Sequence, residues 1–140
     1  MLKQAKGKSI NRIIDANINR AKEGLRVCED ITRFIFDNRE FTLKLKKIRH
    51  KVSELSSYLA PRIILLQERH SIKDVGRFIK ADELKRKGVR DIFFANMQRA
   101  KESIRVLEEF SKLVNLKAAI GFKDIRYKIY DIEKKVLGKG

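Results

Sequence analysis

The chain has 140 residues, with 34 Lys and Arg against 18 Asp and Glu, which sets a net charge of +16 at neutral pH. At 43% hydrophobic residues it carries the apolar content that a disordered polycation lacks, so residues 1–140 read as one folded basic domain. One Cys excludes a disulfide framework and a Cys-based zinc site and points to a reducing, cytoplasmic setting, while the longest apolar run, Ile63 to Leu66, is far short of the roughly 20 residues that span a bilayer.

In chain order, the first eight residues are basic and aperiodic and are expected to form a loose arm. Ser9 is an acceptable helix N-cap, and after it Ile10, Ile14, Asn17, Ala21, Gly24, Cys28, Ile31 and Ile35 alternate spacings of four and three. That is the apolar seam of a helix packed against near-antiparallel neighbours. A second helix carries Phe41, Leu45, Ile48, Val52, Leu55 and Leu59, and Pro61 is expected to kink or end it. Periodicity fails over residues 68–87, where Lys73-Asp74-Val75-Gly76-Arg77 lies in an expected crossover. Gly88 then caps a third helix with the seam Val89, Phe93, Asn96, Ala100, Ser103, Leu107, Phe110 and Val114. The fourth helix bears Ala118, Phe122, Ile125, Ile129, Ile132 and Val136.

The third and fourth helices repeat the first and second. Ala16 to Asp30 recurs 79 residues later as Ala95 to Glu109 with nine of fifteen positions identical, and Ile48 to Val52 recurs as Ile125 to Ile129 at an offset of 77. The chain therefore reads as a tandem duplication, with repeats at about residues 9–67 and 88–137. Each half is an αα-hairpin with one sticky stripe per helix, and two such units close a core only by packing together. With one Pro and seven Gly there are few tight turns for strands, and the expected fold is an all-α four-helix bundle.

Polar residues on the seam carry the functional signal. On a wheel of about 100° per residue, Gly24 and Cys28 fall within about 20° of Asn17, with Arg20 about 60° to one side. The same holds for Asn96 and Arg99, so the two halves are expected to turn two Asn and two Arg towards a common centre surrounded by small residues. Converging guanidiniums in a partly dry site require an anion between them, and a phosphate meets that need. Glu23, Asp30, Glu102 and Glu109 lie beside the seam. They either hold Mg²⁺ against bound phosphates or pair with neighbouring Arg along the helix. For the Asn pair, the competing reading is a polar contact that fixes register. Asp74 and Arg77 beside Gly76 suit a turn or a lid over the site. Cys28, matched by Leu107, reads as a small buried apolar residue, and His50 and His70 have no partner at metal-ligand spacing. The Lys and Arg are spread over all four helices, which counts against a nucleic-acid surface, and a homo-oligomer is compatible with the sequence.

The blocks Arg12 to Asn17, Arg26 to Asp30, Asp74-Val75-Gly76, Ala95-Asn96 and Arg105 to Glu109 resemble the helical domain fused N-terminally to many bacterial thiamine-phosphate synthases. That domain is proposed as an alternative hydroxymethylpyrimidine-phosphate kinase of thiamine biosynthesis. The resemblance implies a phosphorylated pyrimidine as substrate, ATP and Mg²⁺ as cofactors, and a thiamine-phosphate synthase as a partner. It also implies roles for Arg20 and Arg99 on phosphates, for Asn17 and Asn96 in orienting the ligand, and for Asp74 in loop closure, with Glu23, Asp30, Glu102 and Glu109 as the metal candidates. Lys73 and Arg77 depart from the small residues expected beside the loop motif. Two other classes stay open: a non-catalytic module that binds a phosphorylated ligand or docks on the synthase, and a basic nucleic-acid-binding bundle.

Overall fold

The computed structural model describes residues 2–60, 65–66 and 86–138, with side chains from residue 7 onward. Four helices occupy them: α1 (Leu2–Phe34), α2 (Arg39–Ser56), α3 (Val89–Ser111) and α4 (Leu116–Gly138), with no strand among the described residues. The helix α1 begins seven residues before Ser9, which corrects the expected loose arm. Leu2 to Lys8 contains no Pro and no β-branched residue, and Gly7 alone lowers its propensity, so the helix propagates through it and Ser9 becomes an interior position.

The two hairpin turns use the same chemistry. Asn38 Oδ1 accepts the Phe41 N–H at 2.8 Å and starts α2, and Asn115 Oδ1 accepts the Ala118 N–H at 3.0 Å and starts α4. Before the first turn, the Ile35 and Phe36 N–H groups both donate to the Ile31 carbonyl, and Asp37 takes φ 49°, the left-handed region that a short polar side chain tolerates. These turns begin at Ile35 and Lys112, so Ile35 and Val114 leave the seam and are exposed, contrary to expectation. The helix α2 stops at Ser56, ahead of Pro61, and Leu59 stays buried from within a following turn.

The helix α1 packs on α2 and α3, and α4 packs on α3 and α2, so each helix has two close neighbours. Cys28 Sγ donates to the Phe93 carbonyl at 3.3 Å while Gly24 faces Asn96 and Ala100, so α1 and α3 run antiparallel. Leu55 meets Gly121, whereas Lys44 shares a groove with Asp131 and Ile132, so α2 and α4 are antiparallel too. The directions are therefore up, down, down, up, so the end of α2 and the start of α3 lie at opposite ends of the bundle. The core is wider than the seam read from the sequence. Ile18 and Leu25 on α1, with Met97 and Ile104 at the equivalent places on α3, form a second buried stripe, because every helix has two neighbours to satisfy.

Candidate functional site

Asn17 and Asn96 behave alike, and neither reaches across the bundle. Each donates its side-chain amide to the carbonyl one turn back in its own helix, Ile13 and Ile92 respectively, both at 2.8 Å. Between them the helices nearly touch: a Cβ placed on Gly24 would sit 2.9 Å from the Asn96 carbonyl oxygen. The small residues thus serve close approach, and the space expected to form a shared interior chamber is filled by backbone. Gly24 lies level with Asn96, and Asn17 is seven residues away, so the two amides are staggered by about 10 Å along the axis.

Arg20 and Arg99 are both exposed, which corrects their expected inward orientation. They nevertheless share a face. On α1, Gly24 marks the side that meets α3, and Glu29, bonded to Arg49, marks the side that meets α2. Arg20 falls beyond the α3 side, away from α2. On α3, Ala100 faces α1 and Glu108 bonds Arg126 of α4, so Arg99 falls beyond the α1 side, away from α4. Because α2 and α4 pack together beneath, both guanidiniums stand on the outer face of the α1–α3 pair. The antiparallel register, with Gly24 opposite Asn96 to Ala100, sets them within roughly one helical turn, about 5 Å, along the axis. Two guanidiniums so placed offer ten N–H donors to an anion lying over the α1–α3 crossing.

The carboxylates do not gather. Asp30 pairs with Arg26 at 3.6 Å, Glu109 with Arg105 at 3.3 Å and Lys112 at 3.0 Å, and Glu102 accepts from Gln98 at 3.0 Å, while Glu23 is exposed. The hydrogen bond and charge of Lys112 hold the Glu109 carboxyl below its usual range. Among the described residues no three His, Cys, Asp or Glu side chains form a group that would hold a metal, so these four do not fit as one Mg²⁺ site. Asp74 and Arg77 lie outside the described residues.

Two buried glutamates lie outside the seam pattern read from the sequence. Glu29 accepts from Arg49 Nε at 2.8 Å and Nη2 at 3.4 Å, and Glu108 accepts from Arg126 Nε at 3.1 Å. The glutamates are 8% and 5% exposed, low enough that each carboxylate requires its partner. Burial alone would weaken the Arg126 guanidinium, but the hydrogen bond and charge of Glu108 raise its pKa. The signal was present: Glu29 and Glu108 are identical across the 79-residue offset, as Arg49 and Arg126 are across 77. Lys101 forms a further inward pair with Glu133 at 2.8 Å and lies 4.7 Å from the centre of the Tyr130 ring. Cys28 is fully buried, and burial first, then the charge of Glu133, pushes its thiol up to about 12, as suits an inert core residue.

Residues 12–135 match the ThiD2 family. The chain belongs to that family. This ThiD2-family chain is 39% identical over 140 residues to a thiamine-phosphate synthase of Synechocystis sp., covering 98% of itself and 39% of that protein. It is 35% identical over 130 residues to the thiamine-phosphate synthase of Nostoc punctiforme and 33% identical over 139 residues to that of Rhodopirellula baltica. It thus spans well under half the length of these relatives, at 39%, 36% and 37%. No solved structure matches the ThiD2-family chain. None of its described helices is long and apolar enough to cross a membrane.

Proposed function

We propose that the chain is a thiamine-biosynthesis domain that binds a phosphorylated pyrimidine and acts as an ATP-dependent hydroxymethylpyrimidine-phosphate kinase. What supports this reading is one observation above others: the family match over residues 12–135 includes two sequence-equivalent arginines, Arg20 and Arg99, which stand together on one exposed face. In the reaction a phosphate oxygen of the substrate attacks the γ-phosphorus of ATP. The bond from that phosphorus to the bridging oxygen breaks, and ADP leaves with the pyrimidine pyrophosphate as the other product. A phosphate monoester is already ionised at neutral pH, so no general base is required. The demand on the protein is positioning and positive charge around the transferred group. Two guanidinium forks meet that demand, and Mg²⁺ arrives as the counter-ion of the nucleotide rather than on Glu23, Asp30, Glu102 and Glu109.

A second reading, a non-catalytic module that holds a phosphorylated ligand or docks on a thiamine-phosphate synthase, is favoured by the dispersal of those four carboxylates. One experiment separates the two. The protein is incubated with Mg·ATP and hydroxymethylpyrimidine phosphate, and ADP and the pyrophosphate product are followed, with Arg20→Ala, Arg99→Ala and Asp74→Ala in parallel. Both arginines are exposed, so their variants should fold. Turnover that falls at least a hundredfold in either arginine variant supports the kinase. Turnover unchanged in both removes the proposed site. Ligand-dependent thermal stabilisation without turnover supports the module. Steeply salt-dependent binding to DNA or RNA, with indifference to both small molecules, returns the nucleic-acid alternative.

A further inference from the structure

On the side of the bundle opposite Arg20 and Arg99, α2 and α4 leave a groove of about 460 Å³ between them. That is the size of a small-molecule site. Its floor is Ile48, Ile125 and Ile132, all buried members of the core. Its walls carry Lys44, Lys47 and Lys51 from α2 and Lys128 from α4.

The arrangement is ordered. The three α2 lysines stand at spacings of three and four, one stripe running roughly 10 Å along the helix. Lys51 and Lys128 occupy equivalent places in the two repeats, at the 77-residue offset, and line opposite walls of the groove. Three of the four pair with acids on their own helix, Lys44 to Glu40 at 2.9 Å, Lys51 to Glu54 at 3.2 Å and Lys128 to Asp124 at 3.1 Å, and Lys44 also feels the charge of Asp131 across the groove. These pairs are exposed and exchange readily for a better anion. Lys47 has no carboxylate within ion-pair distance among the described residues. The one lining acid, Asp131, is held by Lys135 at 3.0 Å.

An apolar floor beside four ammonium groups selects a ligand with both characters. We infer that this groove binds a small molecule made of a flat apolar ring system and an oligophosphate chain, as in a nucleoside triphosphate. The ring lies on the isoleucines and the phosphates run along the stripe of Lys44, Lys47 and Lys51, with Lys128 closing from the other wall. Two layers of helix separate the groove from Arg20 and Arg99, with helix axes about 8–10 Å apart in each packing, so a nucleotide held here is too remote for direct transfer on the other face. The groove is therefore a second site, and it stands whether or not the kinase reading does.

Calorimetric titration with ATP, inorganic triphosphate and adenosine at low salt tests the assignment. ATP should bind more tightly than either fragment. The pair Lys47→Glu and Lys51→Glu, made together on an exposed surface, should weaken ATP at least tenfold with an unchanged melting temperature. Lys51→Arg should retain binding, and Lys117→Ala, at an exposed position outside the groove, should leave it within twofold. Equal affinity of the Lys47→Glu/Lys51→Glu protein and the original chain overturns the proposal, as does inorganic triphosphate binding as tightly as ATP, which would leave the isoleucine floor without a role. Loss of ATP binding only in the Arg20→Ala and Arg99→Ala variants would instead assign the nucleotide to the opposite face.

Discussion

In the first hairpin a single arginine serves the buried glutamate with two nitrogens, Arg49 Nε at 2.8 Å and Nη2 at 3.4 Å from Glu29. In the second the carboxylate of Glu108 is shared, with Arg126 Nε at 3.1 Å and Arg105 Nη1 at 3.4 Å on the same oxygen. Both hairpins keep a charge where the first helix of the pair crosses the second, but the second hairpin has a reserve partner. Redundancy of that kind should show as tolerance. Arg49→Met leaves Glu29 buried without a cation and should cost about 3 kcal/mol, near the lower end for breaking a buried pair, or about 10 °C in melting temperature. Arg126→Met leaves Glu108 with Arg105, which is half exposed and free to move inward, and should cost roughly half as much. Urea unfolding with unchanged m-values measures both, and equal losses would break the comparison.

The comparison also separates what the sequence made legible from what it hid. Helix number and hairpin pairing followed from periodicity, because a 3.6-residue pattern reports which face is buried. The limits of the helices were harder. Leu2 to Lys8 has one weak helix former, Gly7, and no Pro, so the capping residue at Ser9 is overridden by the helix formers around it. At the seam, a wheel angle places Asn17 towards α3 but does not say that its amide bonds Ile13 in its own helix. Helical spacing likewise put Arg20 and Arg99 about 60° from the seam, and at that angle a long side chain leaves the contact for solvent. Glu29 and Glu108 escape the seam pattern because that pattern reports the face turned to the other hairpin, while both glutamates face the second helix of their own hairpin.

Close approach differs between the halves as well. Gly24 of α1 is matched by Ser103 of α3, so one helix accepts a side chain where the other accepts none. A Cβ on Gly24 meets the backbone oxygen of Asn96 at 2.9 Å, which cannot rotate away. Gly24→Ala should therefore destabilise by about 1–2 kcal/mol, overpacking outweighing the roughly 1 kcal/mol that Ala gains over Gly in a helix. Gly121 is the control. A Cβ there meets first the side chain of Leu55, its two methyl carbons at 2.6 and 2.7 Å and its Cγ at 3.2 Å, and that side chain can change rotamer. Gly121→Ala should stay within about 1 kcal/mol of the original, propensity and repacking offsetting each other. Thermal melts of the two variants side by side decide it, and a Gly24→Ala protein as stable as Gly121→Ala would show that α1 and α3 can slide apart.

The smallest effect is expected where a hydroxyl pair has lost one member. Thr32 donates to the Glu29 carbonyl at 3.0 Å, or shares its hydroxyl with Thr42 at 2.9 Å, while Thr42 also reaches the Asn38 carbonyl at 2.7 Å. The equivalent positions in the second hairpin are Ser111 and Ala119, and Ser111 Oγ is buried with no hydrogen-bond partner among the described residues. A buried hydroxyl without a partner is unfavourable, so Ser111→Ala should be neutral or stabilising by up to about 1 kcal/mol, whereas Thr32→Ala should destabilise by about 1 kcal/mol. Ala119→Thr rebuilds the missing partner and should make a subsequent Ser111→Ala change unfavourable, a coupling of about 0.5 kcal/mol or more in a double-mutant cycle. Independent effects at the two positions would mean that the second hairpin has closed its turn by packing alone, with Asn115 as its remaining polar anchor.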